Sequence, residues 1–171
     1  MADPFSWAEN MMRMSDDDWL RHANRWSVYT RIPILPALAL VWWLRDPLGW
    51  GTWVLTLAFI LWAYWNPRAF PVPKRRDTWP ALGTFGERVF LDRARRPIPR
   101  HHAAWAHGLT VVTALGLAPL VYGLWVYDIW AVLLGLVVSV GGKVWFVDRM
   151  VGLYRDMARD HQDLAAWSDP D

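Results

Sequence analysis

The chain has 171 residues, 54% of them hydrophobic, with 15 tryptophans and a formal net charge of +2. It has no cysteine, which excludes disulfides, thiolate metal sites and cysteine nucleophiles. The length suits one soluble domain or one small helical bundle, and the tryptophan usage is far above the ordinary.

Asp3, Glu9 and Asp16-Asp17-Asp18 populate the N-terminal stretch, which lacks the basic region and apolar core of a signal peptide. Ser15 followed by three aspartates predicts a helix start, with acids at the positive end of the dipole. Trp19, Leu20, Ala23 and Trp26 follow at helical spacing, so a short helix is expected to lie on a membrane and lead into a first span. That span is placed near 26–44, with Arg31 snorkelling to the headgroups and Pro33 and Pro36 bending its start. Arg45-Asp46-Pro47 reads as a tight turn. From Pro47 to Pro67 there is no charged residue, which gives a second span near 48–65.

The next segment, 66–104, holds six prolines before its last two residues and cannot be one helix. Within it Phe85, Val89 and Phe90 oppose Glu87, Arg88 and Asp92, a pattern for an amphipathic interfacial helix near 84–94. From His101 to Tyr127 charge is again absent, so a third span is placed near 105–127, with Pro119 as a bend. Asp128 marks another tight turn. A fourth span runs near 129–147, with Lys143 able to snorkel. Gly116, Gly141 and Gly142 are expected to permit close helix packing. Over 148–171, Leu153, Tyr154, Met157 and His161 share one face of an amphipathic tail helix that ends in acidic residues.

The fold expected is therefore all-α: a single integral membrane domain over 1–171, built as a four-helix bundle of two helical hairpins. Its segments are 1–25, the first hairpin 26–65, the basic loop 66–104, the second hairpin 105–147 and the tail 148–171. Of 18 Lys and Arg residues, only Arg45 lies in the two tight turns. The positive-inside rule then puts both termini on the cytoplasmic side of the plasma (inner) membrane. The tryptophans fall into two belts. Trp42, Trp43, Trp50, Trp53, Trp125 and Trp130 mark the far interface, and Trp26, Trp62, Trp65, Trp105 and Trp145 the near one.

RHANRW at 21–26 and RHHAAW at 100–105 match in Arg, His and Trp, which suggests a parallel internal repeat. A duplication would set His22 and His101 facing each other across the cytoplasmic mouth. RHANRWSVYTR at 21–31, NPRAFPVP at 66–73, GERVFLDR at 86–93, PIPRHH at 97–102 and KVWFVDRM at 143–150 resemble a known family. It is an uncharacterised family of Trp-rich bacterial and archaeal multi-pass membrane proteins, a domain of unknown function. The resemblance covers most of the chain and implies a multi-pass membrane protein, with no activity attached. Family members carry Pro where this chain has Arg25.

The candidate site residues are Arg21, His22, Asn24, Arg31, Asn66, Arg68, Glu87, Arg88, His101, His102, Lys143, Asp148 and Arg149, all near one membrane face. Three readings compete. The first is a surface for anionic lipid headgroups, on an accessory or structural subunit. The second is a metal or haem site using His22 and His101, with Glu87 or Asp148 as carboxylates. Here His102 is expected to point away from His101, and His107 to be a packing residue. The third is an enzyme or transporter for an anionic substrate, with arginine clamps and a histidine as acid–base group. No Walker loop or GxSxG elbow supports that reading, and no charge sits at mid-membrane. The partners expected are the bilayer and its anionic lipids, and the wide aromatic surface suits a homodimer or a larger membrane complex. No nucleic-acid partner is expected.

Overall fold

The computed structural model describes residues 14–169. The acidic stretch around Asp3 and Glu9 and the last two residues lie outside them. The described residues form helices and no strands. Helix α1 (Asp16–His22) starts at the expected cap: Ser15 Oγ accepts from Asp18 N at 3.2 Å and Asp18 Oδ2 accepts from Ser15 N at 3.1 Å. Asn24 interrupts the chain and caps α2 (Arg25–Tyr29) by accepting from Trp26 N at 3.0 Å.

The first expected span is not one helix. Thr30 to Pro33 form a turn, and α3 (Ile34–Trp43) begins afresh behind Pro33. Proline has no N–H and disfavours helix for the residue before it, so Pro33 separates α2 from α3 rather than bending a continuous helix. Pro36 lies in the first turn of α3, where its missing N–H would have no helical partner anyway. The Arg45 turn is itself a short helix, α4 (Arg45–Leu48), closed by Gly49 at φ +53°. Then come α5 (Gly51–Trp65), a 3₁₀ turn at Asn66–Arg68, and α6 (Trp79–Leu91).

Helices α7 (Arg100–Val126) and α8 (Ile129–Asp160) are both long and apolar enough to cross a membrane. At 10 and 15 residues, α3 and α5 are each shorter than the roughly 20 residues of a one-helix span. Asp128 caps α8 by accepting from Trp130 N and Ala131 N. Pro119 is absorbed within α7 without ending it. The hairpin of α7 and α8 packs backbone to backbone. A Cβ on Gly135 would lie 2.5 Å from Leu120 N, and one on Gly123 2.6 Å from Val132 N. Gly116 and Gly142 also face the partner helix, against Ser139 and Thr113, and Ser139 Oγ donates to Thr113 O at 3.0 Å. Gly141 faces open space and has no such role.

Arg45 staples the two hairpins at their turn end. It donates to Leu124 O at 2.6 Å, Trp125 O at 3.2 Å and Trp42 O at 3.0 Å, and stacks 3.8 Å over the Tyr127 ring. These carbonyls include the last of α7, where a cation also meets the negative end of the helix dipole. Tyr127 in turn donates to Asp46 Oδ2 at 2.7 Å.

The principal core lies at the opposite, basic end. Helix α6 is buried there, not laid on an interface near 84–94 as its pattern suggested. Phe85, Val89 and Phe90 pack with Met150, Leu153, Tyr154 and Met157. Small residues on the Phe90 side of α6 let α8 come close: a Cβ on Gly86 would lie 1.9 Å from Met150 O, and one on Gly83 2.5 Å from Val147 Cγ1. The tail is also not a separate helix from 148. Helix α8 runs through to Asp160, the chain breaks at His161, and α9 (Gln162–Ser168) folds back so that Leu164 O accepts from Tyr154 Oη at 2.7 Å.

Candidate functional site

A cavity of about 330 Å³ opens where α1, α2, α3, α6 and α8 converge. Its polar end is lined by His22, Arg31, Glu87 and Lys143, and Trp79 closes one wall. Elsewhere in the lining, α3 contributes Ile34, Leu35 and Leu38, and α8 contributes Val140 and Ser139. Four of the sequence-predicted residues thus meet in one place. Trp79, which the sequence did not single out, is held by its indole N–H donating to Asp148 Oδ1 at 3.2 Å.

The hydrogen bonds of His22 fix its tautomer. Arg31 Nη1 lies 3.1 Å from Nε2, and a guanidinium can only donate, so Nε2 carries no proton. Nδ1 therefore bears the hydrogen and donates to Ser27 Oγ at 2.8 Å. Ser27 Oγ passes the direction on to Asn66 Oδ1 at 2.8 Å, Asn66 Nδ2 donates to Thr30 Oγ1 at 2.8 Å, and Thr30 Oγ1 ends on Trp26 O at 2.6 Å. Burial and the adjacent Arg31 charge push the His22 pKa down to about 3, so the ring is neutral. The relay ties α1 and α2 to the end of α5, and Asn66 is a fully buried part of it.

This geometry corrects two expectations. Among the described residues His22 belongs to no group of three metal-ligating side chains and is not grouped with His101, and a cationic guanidinium faces its Nε2 lone pair. The His22–Ser27 contact is not a catalytic dyad either. The imidazole donates to the hydroxyl instead of accepting from it, and Ser27 is fully buried.

Glu87 Oε1 accepts from Lys143 Nζ at 2.6 Å. Burial pushes the Glu87 carboxyl up, but the Lys143 ammonium and the Arg31 guanidinium outweigh it and hold the group below the usual carboxylate range. Among the described residues Arg31 has no carboxylate partner within ion-pair distance, so the polar end carries two cations against one anion.

The remaining predicted residues lie elsewhere. Arg21 pairs with Asp17 at 2.7 Å and Arg68 with Asp18 at 3.6 Å. Arg88 pairs with Asp16 and stacks 4.2 Å over Trp167. Arg149 bonds Asp148 at 2.7 Å and approaches the Trp105 ring. Asn24 caps α2 and donates to Pro71 O at 2.9 Å; it also lines a second cavity of about 400 Å³ with Arg25, Trp26, Lys74 and Arg75. Arg88 thus ties α1, α6 and α9 together and Arg68 ties the 3₁₀ turn to α1, whereas Arg21 and Arg149 pair within their own helices.

His101 and His102 form a separate group with Asp156. Their rings stack with centroids 4.1 Å apart, contrary to the expectation that adjacent histidines diverge; they occupy the first turn of α7. The two RHxxxW segments are not equivalent. The first is broken at Asn24 and buries its His22, whereas the second runs unbroken into α7 with His101 exposed. Ser27, Thr84, Ser139 and Asp156 escaped the sequence reading. A small hydroxyl on an apolar helix has no positional signature, and Asp156 stands 54 residues from its His102 partner.

Neither a curated protein nor a solved structure matches the chain. One family model does, over residues 8–170, which is nearly the whole sequence. The chain belongs to that family, a family of unknown function (DUF6653).

Proposed function

We propose that the chain is a four-span membrane protein with both ends cytoplasmic, and that its cavity at the cytoplasmic end holds an anionic amphiphile, with the headgroup on Arg31 and Lys143 and the chain along α3 and α8. The observation that carries this reading is the polarity of the cavity. Its charged lining side chains cluster together at Arg31, Glu87 and Lys143 beside His22, the rest of the lining is mostly apolar or small hydroxyl, and the charged cluster has one cation in excess. A small anionic headgroup with an acyl chain matches that gradient; a fully polar metabolite would leave its polar groups unpaired against Leu35 and Leu38.

The membrane reading draws on the exposure of the long helices. In the most apolar window of α7 only 22% of residues are buried, and in that of α8 28%. A soluble core helix would hide most of such a surface, and lipid would cover it here. The first hairpin would span as broken helices, α2–turn–α3 and α4–α5. At the turn between α2 and α3 the N–H groups of Thr30, Arg31 and Ile34 stay bonded, to Trp26 O, Val28 O and Arg31 O. Trp50, Trp125 and Trp130, each at least 77% exposed, would stand in the far headgroup layer.

The test is native mass spectrometry of the protein released gently from its own membrane into non-ionic detergent. One anionic amphiphile retained per chain is expected. The double variant Arg31→Gln, Lys143→Gln should lose it, with Gln keeping a donor for His22. A bare wild-type protein, or equal retention in the variant, would overturn the reading.

A further inference from the structure

We propose that His101, His102 and Asp156 form a divalent-metal site of the borderline N/O class, suited to Zn²⁺ or Co²⁺, separate from the amphiphile cavity. One ligand atom from each of the three lies within 4.8 Å of the others. Tetrahedral ligands around zinc, with bonds of about 2.0–2.2 Å, stand roughly 3.3–3.6 Å apart. The side-chain displacement required is therefore on the order of 1 Å, and it falls on groups free to make it. His101 is exposed on the first turn of α7, and the Asp156 side chain is about half exposed on α8. His102 is buried and is the fixed member, with Nε2 already 2.9 Å from Asp156 Oδ2. A cation entering between them would replace that hydrogen bond.

The neighbouring charge leaves room for this. Arg159 Nη1 sits 3.5 Å from Asp156 Oδ1, on the carboxylate oxygen turned away from His102. Two imidazoles and one carboxylate suit zinc, cobalt or ferrous iron better than magnesium or calcium, which favour all-oxygen shells. Three protein ligands leave a coordination position for water. The bound ion would clamp the start of α7 to the last turns of α8, fixing the helical extension that carries the principal core.

The experiment is a Co²⁺ titration of the full chain in detergent, read by visible d–d absorption with Zn²⁺ displacement. The proposal expects one saturable Co²⁺ per chain. His101→Ala and Asp156→Asn, both at accessible side chains, should each weaken binding by at least the roughly 10–100-fold that loss of an outer-shell partner costs a metal site. His161→Ala should bind as wild type, and circular dichroism should show all three variants folded. Absence of a saturable one-to-one band would overturn the proposal, and so would unchanged affinity in both folded ligand variants.

Discussion

His22 shows how one side chain can be read two ways. In the sequence it is a histidine beside arginines, a candidate ligand or acid–base group. In the fold, Arg31 claims Nε2 and Ser27 claims Nδ1, so it is a neutral connector. Its pKa falls from 6.5 to about 3, which makes stability depend on pH. The unfolded chain takes up a proton at His22 below pH 6.5 and the folded chain does not, so its contribution is complete above 6.5 and declines as pH falls towards 3. Glu87 adds to the acid loss only below its ordinary value of 4.5. Between 6.5 and 4.5 the His22 contribution should therefore fall by up to about 1.4 kcal/mol per pH unit. Thermal unfolding in detergent at pH 7, 6 and 5 checks this: wild type should lose melting temperature steadily, and His22→Gln should start lower but decline less steeply. Parallel curves would contradict a buried, neutral His22. Arg31 and Lys143 were legible as polar residues near the ends of apolar runs. Their meeting with Glu87 was not, because it depends on how α6 crosses α8, which no local spacing encodes.

Helices α7 and α8 were legible because they carry long charge-free runs and a capping aspartate between them. The first hairpin differs in form from the two continuous helices expected near 26–44 and 48–65, since Pro33 breaks it where a bend was expected. Helix α6 was misread because its apolar stripe looked one-sided. The decisive residues are glycines, whose absent side chains let α8 press close at Met150 and Val147. Glycine positions give a test of opposite signs. Gly135→Ala would drive a methyl to 2.5 Å from Leu120 N, and Gly86→Ala one to 1.9 Å from Met150 O. Each should destabilise by at least about 1–3 kcal/mol, the usual range for overpacking. Gly141→Ala meets nothing within 4 Å and should leave the melting temperature unchanged or raise it, since alanine favours helix by about 1 kcal/mol. If Gly135→Ala and Gly141→Ala behaved alike, the packing of the hairpin would be wrong.

The whole molecule divides its charge and its core in the same direction. Arg45 and the aromatic belt close one end, and α1, α6, α9 and the continuation of α8 build an ion-paired, buried cap on the other. The cavity lined by Arg31 and Lys143 opens at that cap, and His101, His102 and Asp156 sit within the cap. On the proposed reading, this arrangement would give the protein a bilayer-embedded half and a folded half outside it, with an anionic amphiphile held at their boundary. Its topology is the claim on which the rest depends, and the cysteine-free sequence makes it directly testable. W50C, W130C, K74C and Q162C place single thiols at four exposed positions. In sealed inside-out membrane vesicles, an impermeant maleimide should label K74C and Q162C at once, and W50C and W130C only after the vesicles are opened. Labelling of all four in sealed vesicles, or of W50C and W130C alone, would contradict a four-span chain with its polar cavity on the cytoplasmic side.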